Sequence, residues 1–274
     1  MSAPTVEPQL RARPPAAALR PYVSTYVGYR TAPGPRGVHQ GVASGHLTFI
    51  LCLDGAVEVL ANADRRRPPG TFAAFVAGLH DGPAEIAVGE PQTGLQLQLT
   101  WRGARALLGL PAAELAGDTV DLAAVLGRRV GPLLDRLADR PDWSSRFDLL
   151  DAALTRLAAD GPGERGIRPE VGYAWDRLAE TGGRLRIDGL AREVGWSRRH
   201  LAELFRTETG IGPKTASRLI RFERALDRLR SPARPSLAAV AADTGYVDQA
   251  HLSRDFRDLA GTTATAWLAE RDLR

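Results

Sequence analysis

The stretch Ile187-Asp188-Gly189-Leu190-Ala191-Arg192-Glu193-Val194-Gly195-Trp196-Ser197-Arg198-Arg199-His200-Leu201 decides the fold of the C-terminal part, because its pattern occurs twice. Laid over residues 237–257 at an offset of 50, Ile187 falls on Leu237, Leu190 on Val240, Ala191 on Ala241, Glu193 on Asp243, Gly195 on Gly245 and Trp196 on Tyr246. One extra residue, Val247, then enters the second copy. At an offset of 51, His200-Leu201 falls on His251-Leu252, Phe205 on Phe256 and Arg206 on Arg257.

Each copy has a physical logic. A short helix carries Ala where it must pass close to its partner helix, and Gly then permits a tight left-handed turn. An aromatic residue plugs the corner. In the following helix one stripe is apolar: Leu201, Leu204 and Phe205 in the first copy, Leu252, Phe256 and Leu259 in the second. The other face is polar, with Arg198, Arg199, Ala202, Glu203 and Arg206 in the first copy and Gln249, Ala250, Ser253, Arg254 and Arg257 in the second. This is helix-turn-helix patterning, whose second helix enters the major groove. One such hairpin is a weak signal, because helical hairpins with solvated charges look the same. Two matched copies are a strong one.

Outward from the repeat, everything after residue 169 reads as helix. Val171 to Glu180 is stopped by Gly182-Gly183, Ile187 to Val194 by Gly195, and a helix capped by Ser197 ends at Gly210. Lys214 to Arg230 follows Pro213 and spans on the order of 25 Å at 1.5 Å per residue. Ser236 caps a helix to Asp243, and the next covers Asp248 to Leu259. Upstream, Asp160-Gly161-Pro162-Gly163-Glu164-Arg165-Gly166-Ile167-Arg168-Pro169 breaks helix and strand alike and reads as an interdomain linker over 161–169.

Residues 22–100 read as β-rich. Tyr22 to Tyr29, Leu47 to Leu53, Ala56 to Leu60, Phe72 to Ala77, Ala84 to Val88 and Leu95 to Leu99 are short apolar or alternating runs between turn residues. Gln96 and Gln98 alternate with Leu95, Leu97 and Leu99, the period of a half-buried strand. Residues 102–159 then turn helical, with leucines at three- and four-residue steps. The expected fold class is α+β. A β-rich barrel or sandwich with following helices (21–160) would sense a ligand or set oligomeric state, and an all-α domain (170–274) would carry two helix-turn-helix units joined by a long helix. Residues 1–20, rich in Pro, Ala and Arg and without the apolar core of a secretory signal, read as a disordered start.

Composition adds bounds. The chain has 274 residues, 44% hydrophobic and 25% charged, an ordinary globular mix. No apolar run reaches the roughly 18 residues of a membrane span, so the cytoplasm is the expected location. The basic residues are 35 Arg and one Lys, Lys214. Residues 165–274 hold 20 of them against 15 acids, a net of +5, whereas residues 1–164 hold 16 against 17. The basic excess sits where a polyanion partner requires it. The single cysteine, Cys52, lies in the apolar run Leu47 to Leu53 and reads as a buried, inert thiol.

Residues 171–268 resemble the AraC family of transcription regulators. The resemblance rests on Ile187 to Ser197 with His200-Leu201, on Phe205 with Thr209-Gly210-Ile211-Gly212-Pro213, and on Ala241, Gly245-Tyr246, Leu252, Phe256 and Trp267. It implies that one chain places two recognition helices in successive segments of the major groove of double-stranded DNA, held apart by the linker helix. It also implies a separate domain that binds a small effector or dimerises, with RNA polymerase as a further candidate partner. By resemblance, Arg199, Ala202 and Glu203 hold the reading positions of the first copy, and Gln249, Ala250, His251 and Arg254 those of the second. Two departures stand out. The family usually carries Pro near position 264, where this chain has Ala264, which predicts a less rigid end to the second unit. Glu203 stands where a basic or neutral reader is common; it can accept from cytosine N4 or simply be a surface acid. The runs Gly41 to Ile50 and Phe75 to His80 resemble an uncharacterised regulator-associated domain of actinobacterial type.

Arg198, Arg199, Gln249 and Arg254 have base-reading chemistry: Arg pairs bidentately with guanine, Gln with adenine. Some arginines in such interfaces touch only phosphate. Arg206 and Arg257, at the far ends of their helices, lean to phosphate or salt bridges, and Ser197 and Asp248 to helix caps. In the N-terminal part His46 with Ser44, Thr48, Gln96 and Gln98 forms a candidate polar ligand pocket, with Phe75, Tyr26, Tyr29, Trp101 and Trp143 as candidate walls or as core. His39, His46 and His80 lack the spacing of a metal site, and no metal or cofactor is expected. Catalytic motifs are absent, so no enzyme is expected. Two alternatives remain open here: an enzyme of alkylation-repair type fused to a helix-turn-helix module, and a helical protein–protein adaptor.

Overall fold

The alternating run Leu95–Leu99 lies near the centre of a six-stranded sheet. The computed structural model describes residues 8–272. Its strands are β1 (Gln9–Arg13), β2 (Val23–Thr31), β3 (Gly37–Gly41), β4 (Leu47–Asp54), β5 (Val57–Ala61), β6 (Gly70–Phe72), β7 (Ala74–Ala77), β8 (Ala84–Val88), β9 (Gln92–Leu99) and β10 (Thr119–Asp121). One sheet has the order β1-β2-β9-β4-β7-β10 and the other β3-β8-β5-β6. Both are open, so the β-rich region is two sheets rather than a closed barrel. The helices of this region are α1 (Trp101–Gly103), α2 (Leu122–Leu126), α3 (Val130–Ala138) and α4 (Trp143–Asp160). The rest are α5 (Pro169–Glu180), α6 (Ile187–Glu193), α7 (Arg198–Thr209), α8 (Pro213–Leu229), α9 (Leu237–Thr244), α10 (Gln249–Ala260) and α11 (Ala264–Asp272).

The period of two sorts the large sheet into two faces. Leu47, Phe49 and Leu51 of β4 pair with Leu99, Leu97 and Leu95 of β9, and all six are buried. The α4 helix covers part of this face: Tyr26 stacks on Phe147 with ring centroids 6.0 Å apart. Gly28 is required there, because a Cβ would stand 2.3 Å from Cε3 of Trp143. On the opposite face Ile50, Cys52 and Phe75 form a core with Val57 and Val59 of the second sheet.

Several expectations need correction. Residues 1–20 were expected to lack order, but Gln9–Arg13 pairs antiparallel with β2. Arg13 there is held by Asp148 at 2.6 Å and Asp151 at 2.5 Å. Residues 1–7 lie outside the described residues. The run Phe72 to Ala77 is two strands in different sheets, and the helical stretch 102–159 contains the edge strand β10.

The chain falls into two compact units that break between Arg165 and Gly166. A simple N-terminal and C-terminal division is nevertheless too coarse, since Gln40–Gly45 and Leu79–Ala84 belong to the second unit. Within that unit Glu223 of α8 accepts from the Ser44 hydroxyl at 2.6 Å and from the Gly45 amide at 3.0 Å. The Ala43 amide donates to the Leu259 carbonyl at 2.9 Å. Among the described residues, no helix is long and apolar enough to cross a membrane.

Candidate nucleic-acid interface

The two helix-turn-helix copies share one construction. Leu190, Ala191, Val240 and Ala241 are buried, so the first helix of each pair turns the same side inward. Gly195 and Gly245 follow with φ of 71° and 85°, left-handed values that favour glycine. The next amide folds back in both copies: Trp196 donates to the Ala191 carbonyl at 2.9 Å and Tyr246 to the Ala241 carbonyl at 3.0 Å. The corner aromatics meet matched histidines edge-on, Trp196 with His200 at 4.9 Å and Tyr246 with His251 at 5.0 Å. Burial pushes the Tyr246 phenol well above its ordinary range.

Each second helix is capped and anchored alike. Ser197 Oγ accepts from the His200 amide at 3.2 Å, and Asp248 Oδ1 from the His251 amide at 2.7 Å. Gly210 and Gly261 close α7 and α10 in the left-handed conformation. Phe205 is fully buried against Trp175 of α5 at 5.7 Å, and Phe256 against Phe222 of α8 at 4.9 Å. Each pair therefore leans on the helix before it, and the repeated unit has three helices: α5 to α7, then α8 to α10. Polar ties fix the frame. Glu193 accepts from Arg177 and from Tyr173, both at 3.1 Å, and Arg177 holds its carboxyl below the usual range. Arg218 reaches Asp255 at 2.7 Å, and Arg228 reaches Asp243 at 3.0 Å.

This packing turns the candidate readers outward. Arg198, Arg199, Glu203 and Arg206 on α7 are exposed, as are Gln249, Ala250, Arg254 and Arg257 on α10. Ala202 and His251 are half-buried. Ser197 and Asp248 cap their helices. Arg198 stands 3.5 Å from Asp188. Ala264, where the family usually has proline, is the first residue of α11. Thr263 Oγ1 accepts from the Ala266 amide at 3.2 Å, and Trp267 packs on Phe256 at 6.1 Å. Sequence reasoning passed over Arg184, Arg186, Lys214 and Arg221, which line a cleft with Arg198 and Asp188. The triplet Arg184-Leu185-Arg186, directly before the repeat, was the available signal.

Residues 190–270 match the family model described as "Helix-turn-helix domain". That stretch covers α6 to α10 from Leu190 onward and so contains both helix-turn-helix copies. Solved structures similar to the chain include ToxT from Vibrio cholerae, at TM-score 0.55 and 9% identity over 89% of this chain and 97% of that one. A second ToxT structure, bound to an unsaturated fatty acid, matches at TM-score 0.55 and 10% identity over 93% and 96%. At such identities the likeness concerns the fold. No curated protein matches the chain at a significant level. The helix-turn-helix match thus falls in a chain whose α+β fold parallels ToxT along most of its length.

In the first unit the register brings some of the candidate ligand residues together. Thr48 pairs with Gln98, and Ile50 with both Gln96 and Phe75, so Thr48, Gln96, Gln98 and Phe75 share one face. His46 directly precedes β4. Tyr29 pairs with Gly94 and joins this face. Tyr26 and Trp101 are instead fully buried in the core, and Trp143 packs under Gly28 on the opposite face. Thr48, Gln96 and Gln98 are half-buried, whereas Phe75 is in the core. Among the described residues no three metal-ligating side chains gather, His39, His46 and His80 included. Cys52 is buried, and desolvation pushes its thiol up, away from the reactive thiolate.

Proposed function

We propose that this chain is a cytoplasmic, sequence-specific DNA-binding transcription regulator whose DNA affinity responds to a small ligand held by the first unit. The observation that carries the reading is the pair of matched recognition helices, α7 and α10, with the same caps and anchors and exposed polar faces. Arg199 reads bases from α7, and Gln249 and Arg254 from α10. Arg206 and Arg257 contact phosphate. Glu203 is a surface acid at the edge of the footprint.

The ligand lies on the half-buried face of Thr48, Gln96 and Gln98, where uncharged donors and acceptors meet the apolar core around Phe75. The fatty acid of the ToxT structure supports a small ligand in a protein of this fold. Ligand and DNA are coupled only if the ligand binds two arrangements of the chain with different affinity. The stretches Gln40–Gly45 and Leu79–Ala84 supply the covalent route: they adjoin β3, β4, β7 and β8, yet belong to the second unit. A second copy of the chain and RNA polymerase are the further partners of this reading.

The alkylation-repair alternative needs a reactive cysteine, and a buried thiol with a raised pKa opposes it. The protein–protein adaptor is separated from the DNA reading by salt. A duplex selected from a random pool by the wild-type chain is expected to bind with an affinity that falls steeply with salt. Failure to enrich any duplex would refute the proposed function.

A further inference from the structure

The second unit contains a cationic cleft whose cations, Arg198 apart, lie outside the candidate base readers. It measures about 300 Å³ and is lined by Arg184, Arg186, Arg198, Lys214, Arg221 and a single acid, Asp188. A neighbouring recess shares Arg184, Arg186 and Asp188 and adds Arg192. Five cations against one carboxylate, in a unit of modest net charge, is a strong local excess. Arg184, Arg186, Arg198 and Lys214 are exposed, so their charges meet solvent rather than a core.

Two of its arginines reach across to the second helix-turn-helix unit. Arg198 is the first residue of α7, so one wall is the start of the first recognition helix. Arg184 donates to the Asp243 carbonyl at the end of α9 and lies against Gly245, the turn of the second unit. The Arg221 guanidinium sits 5.5 Å over the Tyr246 ring at that same corner. Two recognition helices that occupy successive major-groove segments leave a stretch of sugar–phosphate backbone between them. One wall of the cleft is the start of the first reader, and two of its arginines reach the turn of the second, which on such a docking sets its cations toward that stretch.

We infer that this cleft is a phosphate clamp, which grips the DNA backbone between the two half-sites through Arg186, Lys214 and Arg221. The inference rests on the DNA-binding reading above. Arg198 is shared: its ion pair with Asp188 competes with DNA, so Asp188 tempers the clamp.

The test compares full-length variants on two duplexes of equal length, one selected by the wild-type chain and one scrambled. Arg186→Gln and Lys214→Gln are expected to weaken both duplexes by the same factor. Each should lower the slope of log affinity against log salt by about 1 and leave base preference unchanged. Asp188→Asn is expected to act in the opposite direction, tightening both. Arg199→Ala is the internal reference, weakening the selected duplex only. Unchanged salt slopes for Arg186→Gln and Lys214→Gln, while Arg199→Ala still loses preference, would overturn the clamp and leave the DNA reading intact. If Arg199→Ala also has no effect, the reading of α7 fails instead. Circular dichroism melts within the wild-type range show that a variant is folded, and Asp188→Asn supplies a gain that misfolding cannot imitate.

Discussion

In the first helix-turn-helix unit the turn glycine, Gly195, has open space around its Cα; in the second, Gly245 lies against Arg184, where a Cβ would stand 2.7 Å from Nε. Phe205 of the first recognition helix packs on Trp175, whereas Phe256 of the second meets both Phe222 and Trp267. The second turn is one residue longer, and that residue, Val247, is 87% exposed. The first cap is a serine and the second an aspartate. Backbone construction is thus repeated while its surroundings differ, and the second unit is the more tightly enclosed. A duplicated fold keeps what the turn demands and lets the rest follow its neighbours.

The largest test of this asymmetry lies in the cores. Phe205→Ala and Phe256→Ala should each cost about 3–5 kcal/mol, the range for emptying a buried aromatic site. Phe256→Ala is expected at the upper end, because it loses two ring contacts worth about 0.5–1.5 kcal/mol each. Denaturant unfolding followed by helical signal measures both, and equal losses would remove the claim that the second unit is better anchored. The turns come next. Gly195→Ala places a side chain in left-handed backbone at a cost of about 1–2 kcal/mol. Gly245→Ala carries the same backbone cost plus displacement of Arg184, so its melting temperature should fall further; the reverse order would contradict the geometry.

Caps give the smallest effects. Ser197→Ala and Asp248→Ala are each expected to cost about 1 kcal/mol. Asp248→Ala should cost more, because its acceptor is charged and sits at 2.7 Å rather than the 3.2 Å of Ser197. Thermal melts of the two variants measure both losses, and equal losses would show that the charge and shorter distance of the aspartate acceptor add nothing.

The helix-turn-helix pair was legible in the sequence because its determinants are local. Glycines at 195 and 245, caps at 197 and 248, and apolar residues at three- and four-residue steps all act within one or two turns of chain. The alternation of Gln96 and Gln98 with leucine was legible for the same reason. The pocket walls were only partly so. Tyr26 and Tyr29 are three residues apart on one strand, so they face opposite sides of the sheet, and of the two Tyr29 shares the face of the glutamines. The strand Gln9–Arg13 depends on Asp148 and Asp151, more than 130 residues away, and nothing in its own Pro- and Ala-rich surroundings announces it. The placement of Gln40–Gly45 in the second unit rests on Glu223 and is equally non-local. The cleft draws its cations from the loop before α6 and from α7 and α8, against a background so rich in arginine that no single one stands out.

The central claim is that α7 and α10 read separate segments of one duplex. Base preference measured position by position, for Arg199→Ala and for Arg254→Ala, tests it most directly. Each variant should relax preference at its own positions, at a cost of about 1–3 kcal/mol, with the two sets centred about one helical turn apart. Loss at the same positions for both variants, or uniform weakening on every sequence, would contradict the account.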